Sequence, residues 1–274
     1  MEWFILFLTG LTAGAIGSLV GLGGGVIIVP SLIYLSMYTS LINGVTPQIA
    51  VGTSLVVMIF TGLSSTLSYM KYKTVDYKSG LIFFAGSGPG SIVGAWVNKY
   101  LDMQMFHIYF GAFIIFIAIL LLVRNKFKPL PFKKEKGIQR TFTDQQGHTY
   151  EYGYQPLIAI LLTFSVGFIS GLFGVGGGSL MVPAMILIFL FPPHVAVATS
   201  MFMVFLSSLV SSGTHILLGN VQWFYALMLI PGAWIGAKMG AYLNTKLASK
   251  TLVRALRVIL IIIGARMVYQ GIVG

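Results

Sequence analysis

Two decapeptides decide how this chain folds: residues 21–30 read GLGGGVIIVP, and residues 174–183 read GVGGGSLMVP. Each places four glycines beside an apolar run that ends in proline. A glycine inside a helix costs about 1 kcal/mol relative to alanine, so four of them predict a break in the helix. A helix that restarts after the break has first N–H groups without intrahelical acceptors.

The composition around these decapeptides is that of a membrane protein. Hydrophobic residues make up 57% of the 274 and charged residues only 8%, and the mean hydropathy is +0.90. A helix needs about 20 apolar residues to cross a bilayer, and apolar runs in lipid must be helical because lipid cannot satisfy backbone polar groups. We predict an all-α, multi-pass membrane protein with eight to ten helical segments, from runs at about 3–20, 26–42, 47–70, 79–98, 103–123, 155–173, 179–191, 195–217, 222–243 and 252–272.

The chain is a tandem duplication. Residues 14–30 align with 167–183 at an offset of 153, with nine identities that include every glycine of the decapeptides. After a gap of seven residues the offset becomes 146, which pairs PQIAVGTS (from Pro47) with PHVAVATS (from Pro193). We therefore predict three parts: a first membrane repeat over 1–123, a basic cytoplasmic linker over 124–154 with a small hairpin near 141–152, and a second membrane repeat over 155–274.

Charge predicts how the halves are oriented, because Lys and Arg collect in cytoplasmic loops. Seven basic residues from Arg124 to Arg140 put the linker inside. If each half crosses five times, the second half is inverted, and about 15 of the 17 basic residues lie at the cytoplasmic face. If the runs 26–42 and 179–191 only dip in and return, the halves are parallel and about 11 lie inside. The pattern favours inverted repeats with both termini outside.

Inverted repeats with glycine breaks at matching positions are typical of transporters whose substrate site lies near the membrane midplane. The positive end of a helix favours an anion, and glycine allows a ligand to approach the N–H groups. The alternative is that the glycines serve packing or a tight turn, which is the interpretation favoured for the regularly spaced Gly86, Gly90, Gly94 and Gly232, Gly236, Gly240. The predicted anion-binding residues of the two loops are Gly23, Gly24, Gly25, Gly176, Gly177, Gly178 and Ser179.

A Thr-Ser pair follows each decapeptide at the same helical depth: Thr53 and Ser54 in the first half, Thr199 and Ser200 in the second. These hydroxyls can donate to anionic oxygens or bond back to the carbonyl four residues earlier, and both roles stay open. Gln48 and His194 lie beside the matching prolines and are possible coupling residues, although a solvated role is favoured over ligand contact.

His215 aligns with Tyr69 inside a long apolar run and is a candidate coupling group, since an ionisable side chain within a membrane is costly. The alternative is a neutral histidine bonded to a neighbour. His107, Lys238 and Arg266 lie toward helix ends, where snorkelling accounts for the cations.

Several chemistries have no residues to support them. All six acidic residues lie in loops or at a terminus: Glu2, Asp76, Asp102, Glu135, Asp144 and Glu151. There is no cysteine. We therefore predict no carboxylate relay, no metal, no cofactor, no enzymatic activity and no nucleic-acid partner.

The two glycine decapeptides, each followed by a TS helix, resemble the sulfite exporter TauE/SafE family of bacterial membrane proteins, also called the 4-toluene sulfonate uptake permease family. The resemblance covers both halves and implies transport of small sulfur-containing anions such as sulfite, sulfonates, sulfoacetate or thiosulfate across the bacterial plasma membrane. It points to the glycine runs and Thr-Ser pairs as pore-lining elements.

We therefore expect an alternating-access transporter that favours efflux. An anion channel, a proton-coupled uptake permease for organic anions and an intramembrane enzyme are the alternatives, and a homo-oligomer is compatible with the sequence.

Overall fold

The computed structural model of the protein describes residues 2–39, 42–123, 137–143, 147, 149–246 and 250–273, with the backbone alone for 121–123 and 250–259. Within these ranges the chain forms ten α-helices and one β-hairpin. They are α1 (Glu2–Val20), α2 (Gly25–Tyr38), α3 (Pro47–Lys71), α4 (Tyr77–Asn98), α5 (Met103–Val123), β1 (Ile138–Thr143), β2 (Thr149–Tyr154), α6 (Pro156–Phe173), α7 (Gly178–Leu187), α8 (Pro193–Leu217), α9 (Trp223–Lys246) and α10 (Lys250–Val273). The predicted all-α, multi-pass architecture is confirmed.

Seven of the helices in the described ranges are long and apolar enough to cross a membrane: α1, α3, α4, α5, α6, α8 and α9. The two helices that follow the glycine decapeptides are shorter, with 14 residues in α2 and 10 in α7. At 1.5 Å per residue they reach about 21 and 15 Å, less than the ~30 Å of a hydrocarbon core. Each of them therefore covers only part of the membrane.

Both short helices end earlier than the apolar runs 26–42 and 179–191 predicted, so the predicted lengths were wrong. Leu190 has a left-handed φ of 61°, and the consecutive Pro192 and Pro193 follow it. A residue before proline is disfavoured in the helical region, so α7 cannot run through to the next helix even though its sequence stays apolar.

Regularly spaced glycines allow helices of the two repeats to pack closely against each other. A β-carbon on Gly86, Gly90 or Gly94 of α4 would overlap a backbone carbonyl of α6, and one on Gly232, Gly236 or Gly240 of α9 would overlap a carbonyl of α1. Each pair therefore joins a helix of one repeat to a helix of the other at backbone contact distance, as small residues permit between membrane helices. The packing interpretation of these six glycines is confirmed.

Helices that correspond between the repeats run antiparallel where they touch. In the contact of α3 with α8, Gly52 lies against His215 while Gly62 lies against Phe205. In the contact of α5 with α10, Gly111 lies against Val268 while Gly271 lies against Ile108. A rotation that relates the two repeats about an axis parallel to the helices would leave corresponding helices parallel. A twofold rotation about an axis perpendicular to the helices would make them antiparallel.

The second part of the predicted linker folds onto the helices. Strands β1 and β2 pair antiparallel with Ile138 opposite Tyr154, and the Tyr154 ring contacts Phe83, Phe189 and Phe191. Tyr152 and Tyr154 are buried, so the hairpin that was predicted near 141–152 packs against both repeats. The basic residues from Arg124 to Lys136 lie outside the described residues.

Candidate functional site

Each decapeptide forms a loop that ends one helix and starts the next. Gly23 and Gly24 have φ of 88° and 94°, and Gly176 and Gly177 have φ of 76° and 70°. L-residues with a side chain rarely adopt this left-handed conformation. Gly24 and Gly177 are the N-caps of α2 and α7 and supply no side-chain acceptor to the first N–H groups. Three of these donors are already used. Gly178 N–H donates to Gly176 O at 2.8 Å, Leu180 N–H to Gly177 O at 3.3 Å, and Ile27 N–H to Gly24 O at 3.0 Å.

The two loops meet at the middle of the helix bundle. Gly23 and Gly176 both face Met58 and Val204, whose side chains a β-carbon on either glycine would crowd. Met58 and Val204 are repeat-related at the offset of 146, and each is the twelfth of the 25 residues of its helix. Both loops are fully buried, so the described conformation closes this centre to solvent.

The serine of each Thr-Ser pair hydrogen-bonds to the glycine loop of the opposite repeat. Ser54 Oγ donates to Gly174 O at 3.0 Å, and the repeat-related Ser200 Oγ donates to Gly21 O at 3.0 Å. The reciprocal pair fixes both loops against α3 and α8. In this conformation the serine protons are bound to the backbone, and direct ligand contact by Ser54 and Ser200 stays a prediction.

The threonines make an equally symmetric pair of bonds. Thr53 Oγ1 accepts from Gln222 N–H at 3.0 Å, and Thr199 Oγ1 accepts from Asp76 N–H at 3.0 Å. Gln222 and Asp76 lie in the turns before α9 and α4. Each threonine therefore connects the loop-binding helix of one repeat to a surface turn of the other.

Ser179, at the start of α7, differs from these four hydroxyls. Its side chain is 1% exposed, and its Oγ has no hydrogen-bond partner among the described residues. Nearby Ser170 Oγ, beside Gly177, is also buried without a partner there. A buried hydroxyl without a partner loses its hydrogen bonds to water, so these two groups are available to an acceptor that enters between the loops.

His215 is buried and bonded to two neighbours. Its Nε2 lies 3.1 Å from Gly171 O and its Nδ1 lies 3.3 Å from Asn220 Nδ2. A carbonyl only accepts and an amide nitrogen only donates, so the neutral tautomer with the proton on Nε2 satisfies both bonds. The repeat-related Tyr69 OH donates to Ser18 O at 2.9 Å, at the position that corresponds to Gly171.

Gln48 and His194 lie at the ends of their helices and bond to the chain. Gln48 Nε2 donates to Leu101 O at 2.6 Å, and His194 Nδ1 lies 3.2 Å from Asn244 Oδ1. Gln48 is partly exposed and His194 is exposed, and a coupling role for either stays a prediction.

The sequence reasoning missed two asparagines, although their repeat pairing was visible. Asn98 Nδ2 donates to Leu172 O at 2.8 Å and Asn244 Nδ2 donates to Leu19 O at 2.7 Å. Both carbonyls lie two residues before a glycine loop. The asparagines therefore bind carbonyls at the helix ends where the loops begin. The sequence feature that could have identified them is a polar residue at the end of an apolar run in both repeats.

The centre is electrically neutral apart from its helix ends. In the part of the chain that the structure describes, none of the groups that approach the two loops carries a formal charge, and no cluster of three or more His, Asp or Glu side chains could hold a metal ion. Two helix N-termini remain as the source of positive potential, equivalent to about half a charge each.

The sequence comparisons agree with this geometry. The family model described as "Sulfite exporter TauE/SafE" matches residues 6–267. The chain belongs to this family. It is 58% identical over 272 residues to the "Probable membrane transporter protein YunE" of Bacillus subtilis, covering 99% of each chain. It is also similar to "Probable membrane transporter" proteins of Methanocaldococcus jannaschii, at 28% identity with 90% and 88% covered, and of Haemophilus influenzae, at 27% identity with 97% and 94% covered.

Family membership, these relatives and the seven apolar helices identify the molecule as a multi-pass membrane transporter. No solved structure matches the chain.

Proposed function

We propose that this transporter moves a small sulfur-containing anion, such as sulfite, a sulfonate, sulfoacetate or thiosulfate, by alternating access. The observation that carries the proposal is the meeting of the two left-handed glycine loops around Met58 and Val204. Helix N-termini attract anions through their dipole and N–H groups, and a neutral site holds an anion without trapping it as a fixed cation would.

The substrate would bind between the loops, within reach of the hydroxyls of Ser179 and Ser170. The Met58 side chain occupies the space between the loops in the described conformation. The loops or this flexible side chain must therefore move to admit the anion. Methionine suits that role because it has three rotatable bonds and adapts to irregular spaces.

Alternating access follows most simply from inverted repeats, which we include in the proposal. Antiparallel contacts between corresponding helices, α3 with α8 and α5 with α10, support inversion. The charge pattern supports it too, because inversion places about 15 of the 17 basic residues at one face and parallel repeats only about 11. In such transporters one repeat rocks against the other around the central site.

Efflux is the favoured direction. An interior at about −100 mV favours a monovalent anion outside by ~2.3 kcal/mol, a concentration ratio of about 50. Uptake against this field needs a coupling ion, and His215, bonded as the neutral tautomer, is the candidate for a proton-coupled uptake permease, the second function that we keep.

A substrate panel on the purified protein tests the proposal. Sulfite, thiosulfate, a sulfonate, sulfate and a carboxylate are compared by thermal shift and by tracer uptake into proteoliposomes. We expect a small sulfur-containing anion to stabilise the protein and to show saturable flux, and Ser179→Ala to weaken that binding by about tenfold, because a hydrogen bond to a charged group contributes about 1.5 kcal/mol.

Ser211→Ala is the matched control, since Ser211 Oγ is likewise buried without a described partner but lies two turns beyond Val204 on α8. Stabilisation by carboxylates alone, or equal losses in both variants, would contradict the proposal.

A further inference from the structure

A cavity separate from the glycine loops opens between α1, α2, α5 and α10. Its volume is about 370 Å³, and its walls are mostly apolar, with Ile5, Pro30, Ile33, Leu35, Ile263 and Met267 among them. It also contains a small set of polar groups, Tyr34, Tyr38, His107, Arg266 and Gln270. We call it the lateral groove.

Arg266 lies at this groove as an exposed cation with two aromatic contacts. Its guanidinium carbon is 4.7 Å from the ring centre of Tyr34 and 4.8 Å from that of Tyr38. Gln270 hydrogen-bonds to the Tyr38 hydroxyl beside it. No acidic side chain forms an ion pair with Arg266 within the described ranges of the chain, so its charge is held in place but not neutralised.

His107 adds an unsatisfied polar atom inside the groove. Its side chain is 3% exposed, and Nε2 has no hydrogen-bond partner among the residues that the structure describes. Burying a polar atom without a partner costs about 1–3 kcal/mol. A ligand with a hydroxyl or an ester carbonyl at that depth would supply the missing bond.

Three of these groups are not reproduced at the corresponding positions of the other repeat, so the shared fold does not require them. At the offset of 146, Arg266 corresponds to Leu120 and His107 to Val253, and at the offset of 153 Tyr34 corresponds to Leu187. Three polar residues thus face one groove where the related positions are all aliphatic.

The groove lies at the end of the helices where a lipid headgroup would lie. Exposed Trp3, Tyr38 and Tyr269 surround this end, and such aromatic residues mark the membrane–water interface. Arg266 is seven residues before the end of α10, about 10 Å along the helix axis. The Arg266 guanidinium therefore lies near the depth of the lipid headgroups, and the apolar walls of the groove lie toward the membrane interior.

We infer that the lateral groove binds an anionic phospholipid, with the phosphate on Arg266, one acyl chain along the apolar walls, and a glycerol or ester oxygen at His107. The unpaired cation complements an anionic headgroup, and the apolar walls complement a chain. This site is independent of the proposed substrate and its direction of transport.

Native mass spectrometry with equal amounts of phosphatidylglycerol and phosphatidylcholine tests this inference. The wild-type protein should retain phosphatidylglycerol in preference, and Arg266→Gln should lower that retention about fivefold, the factor expected for one basic residue at an anionic lipid surface. Arg266→Lys, which keeps the charge, should retain most of the preference. Lys238→Gln is the matched control, because Lys238 is an exposed cation of α9 away from the groove.

Two further experiments distinguish a bound lipid from other possible ligands of the groove. Ile263→Trp fills the groove and should reduce retention of both lipids, and excess inorganic phosphate should not displace phosphatidylglycerol. The inference is overturned if Arg266→Gln keeps the full preference, if Ile263→Trp leaves retention unchanged, or if free phosphate displaces the lipid. Groove variants that convert a dimer to a monomer without changing lipid retention would instead assign the groove to a second copy of the chain.

Discussion

Polar side chains at the centre of this transporter act mainly on the backbone of the opposite repeat. Ser54 and Ser200 bind carbonyls of the glycine loops in the other repeat at 3.0 Å, whereas His215 binds the carbonyl of Gly171 within its own repeat. Sequence could identify these residues as paired and buried, but not their partners, because each partner is a backbone group far away along the chain. Ser179, whose Oγ has no hydrogen-bond partner among the described residues, was predicted from its position alone.

The left-handed glycines should be intolerant of any side chain. Gly23→Ala or Gly176→Ala should reduce transport by about tenfold or more, because a left-handed conformation costs an L-residue about 1–2 kcal/mol and the new methyl group would overlap Met58. Proteoliposome flux, with folding checked by thermal melting, measures this effect.

Gly213→Ala serves as the control, because Gly213 lies within helix α8 with no atom within 4 Å of an added β-carbon. It should leave flux unchanged and stabilise the protein by up to about 1 kcal/mol. Full activity in both Gly23→Ala and Gly176→Ala would show that the loops do not need their conformation.

At the level of elements, the pattern of helices was largely predictable and the way they pair was not. Glycine runs predicted where helices break, and Pro47 and Pro193 predicted where α3 and α8 begin, because proline favours the first turn. The ends of α2 and α7 were missed because the sequence stays apolar beyond them. Pairing of α1 with α9 was also out of reach, since a helix that is apolar on every side has no face that indicates its neighbour.

The β-hairpin introduces an asymmetry that the repeats lack. Tyr152 OH donates to Asp76 Oδ2 at 3.0 Å, Ser79 Oγ donates to the same oxygen at 2.6 Å, and Asp76 N–H donates to Thr199. The hairpin is thereby connected to α8, the helix that holds one glycine loop. Gln222, which corresponds to Asp76 in the other repeat and donates to Thr53, lies in a turn without such a hairpin among the described residues.

Alkaline titration should detect this docking. Burial, and next the Asp76 carboxylate, raise the pKa of Tyr152 above its ordinary value. The neutral phenol is the hydrogen-bond donor, so its contribution to stability is complete below the ordinary tyrosine pKa of about 10. It is lost as the pH rises through the raised pKa of the folded state.

Ultraviolet difference absorbance of tyrosinate follows the ionisation. Tyr152→Phe should remove a tyrosine that ionises above the ordinary tyrosine pKa of about 10, and Tyr100→Phe, at a residue 76% exposed, is the control for the loss of one tyrosine. An undocked hairpin would be indicated if the Tyr152→Phe difference spectrum fell at that ordinary pKa.

For the whole molecule, the proposed inversion of the repeats predicts which loops face the cytoplasm. The chain has no native cysteine, so single cysteines can be labelled without background. Cysteines at Lys73 and Lys250 should react only from the cytoplasmic side, and one at Asn220 only from outside. Labelling of position 250 from outside would favour parallel repeats, in which each half crosses an even number of times.

The most direct test of the account is anion flux in sealed proteoliposomes under an imposed potential, with no pH or Na⁺ gradient. If a neutral site between two helix N-termini carries the anion without a coupling ion, flux follows the potential, and a monovalent anion approaches a ratio of about 50 at 100 mV. The opposite experiment holds the potential at zero and imposes a pH gradient. Uphill accumulation of the anion that His215→Gln abolishes would contradict the account and make His215 the coupling site of a proton symporter.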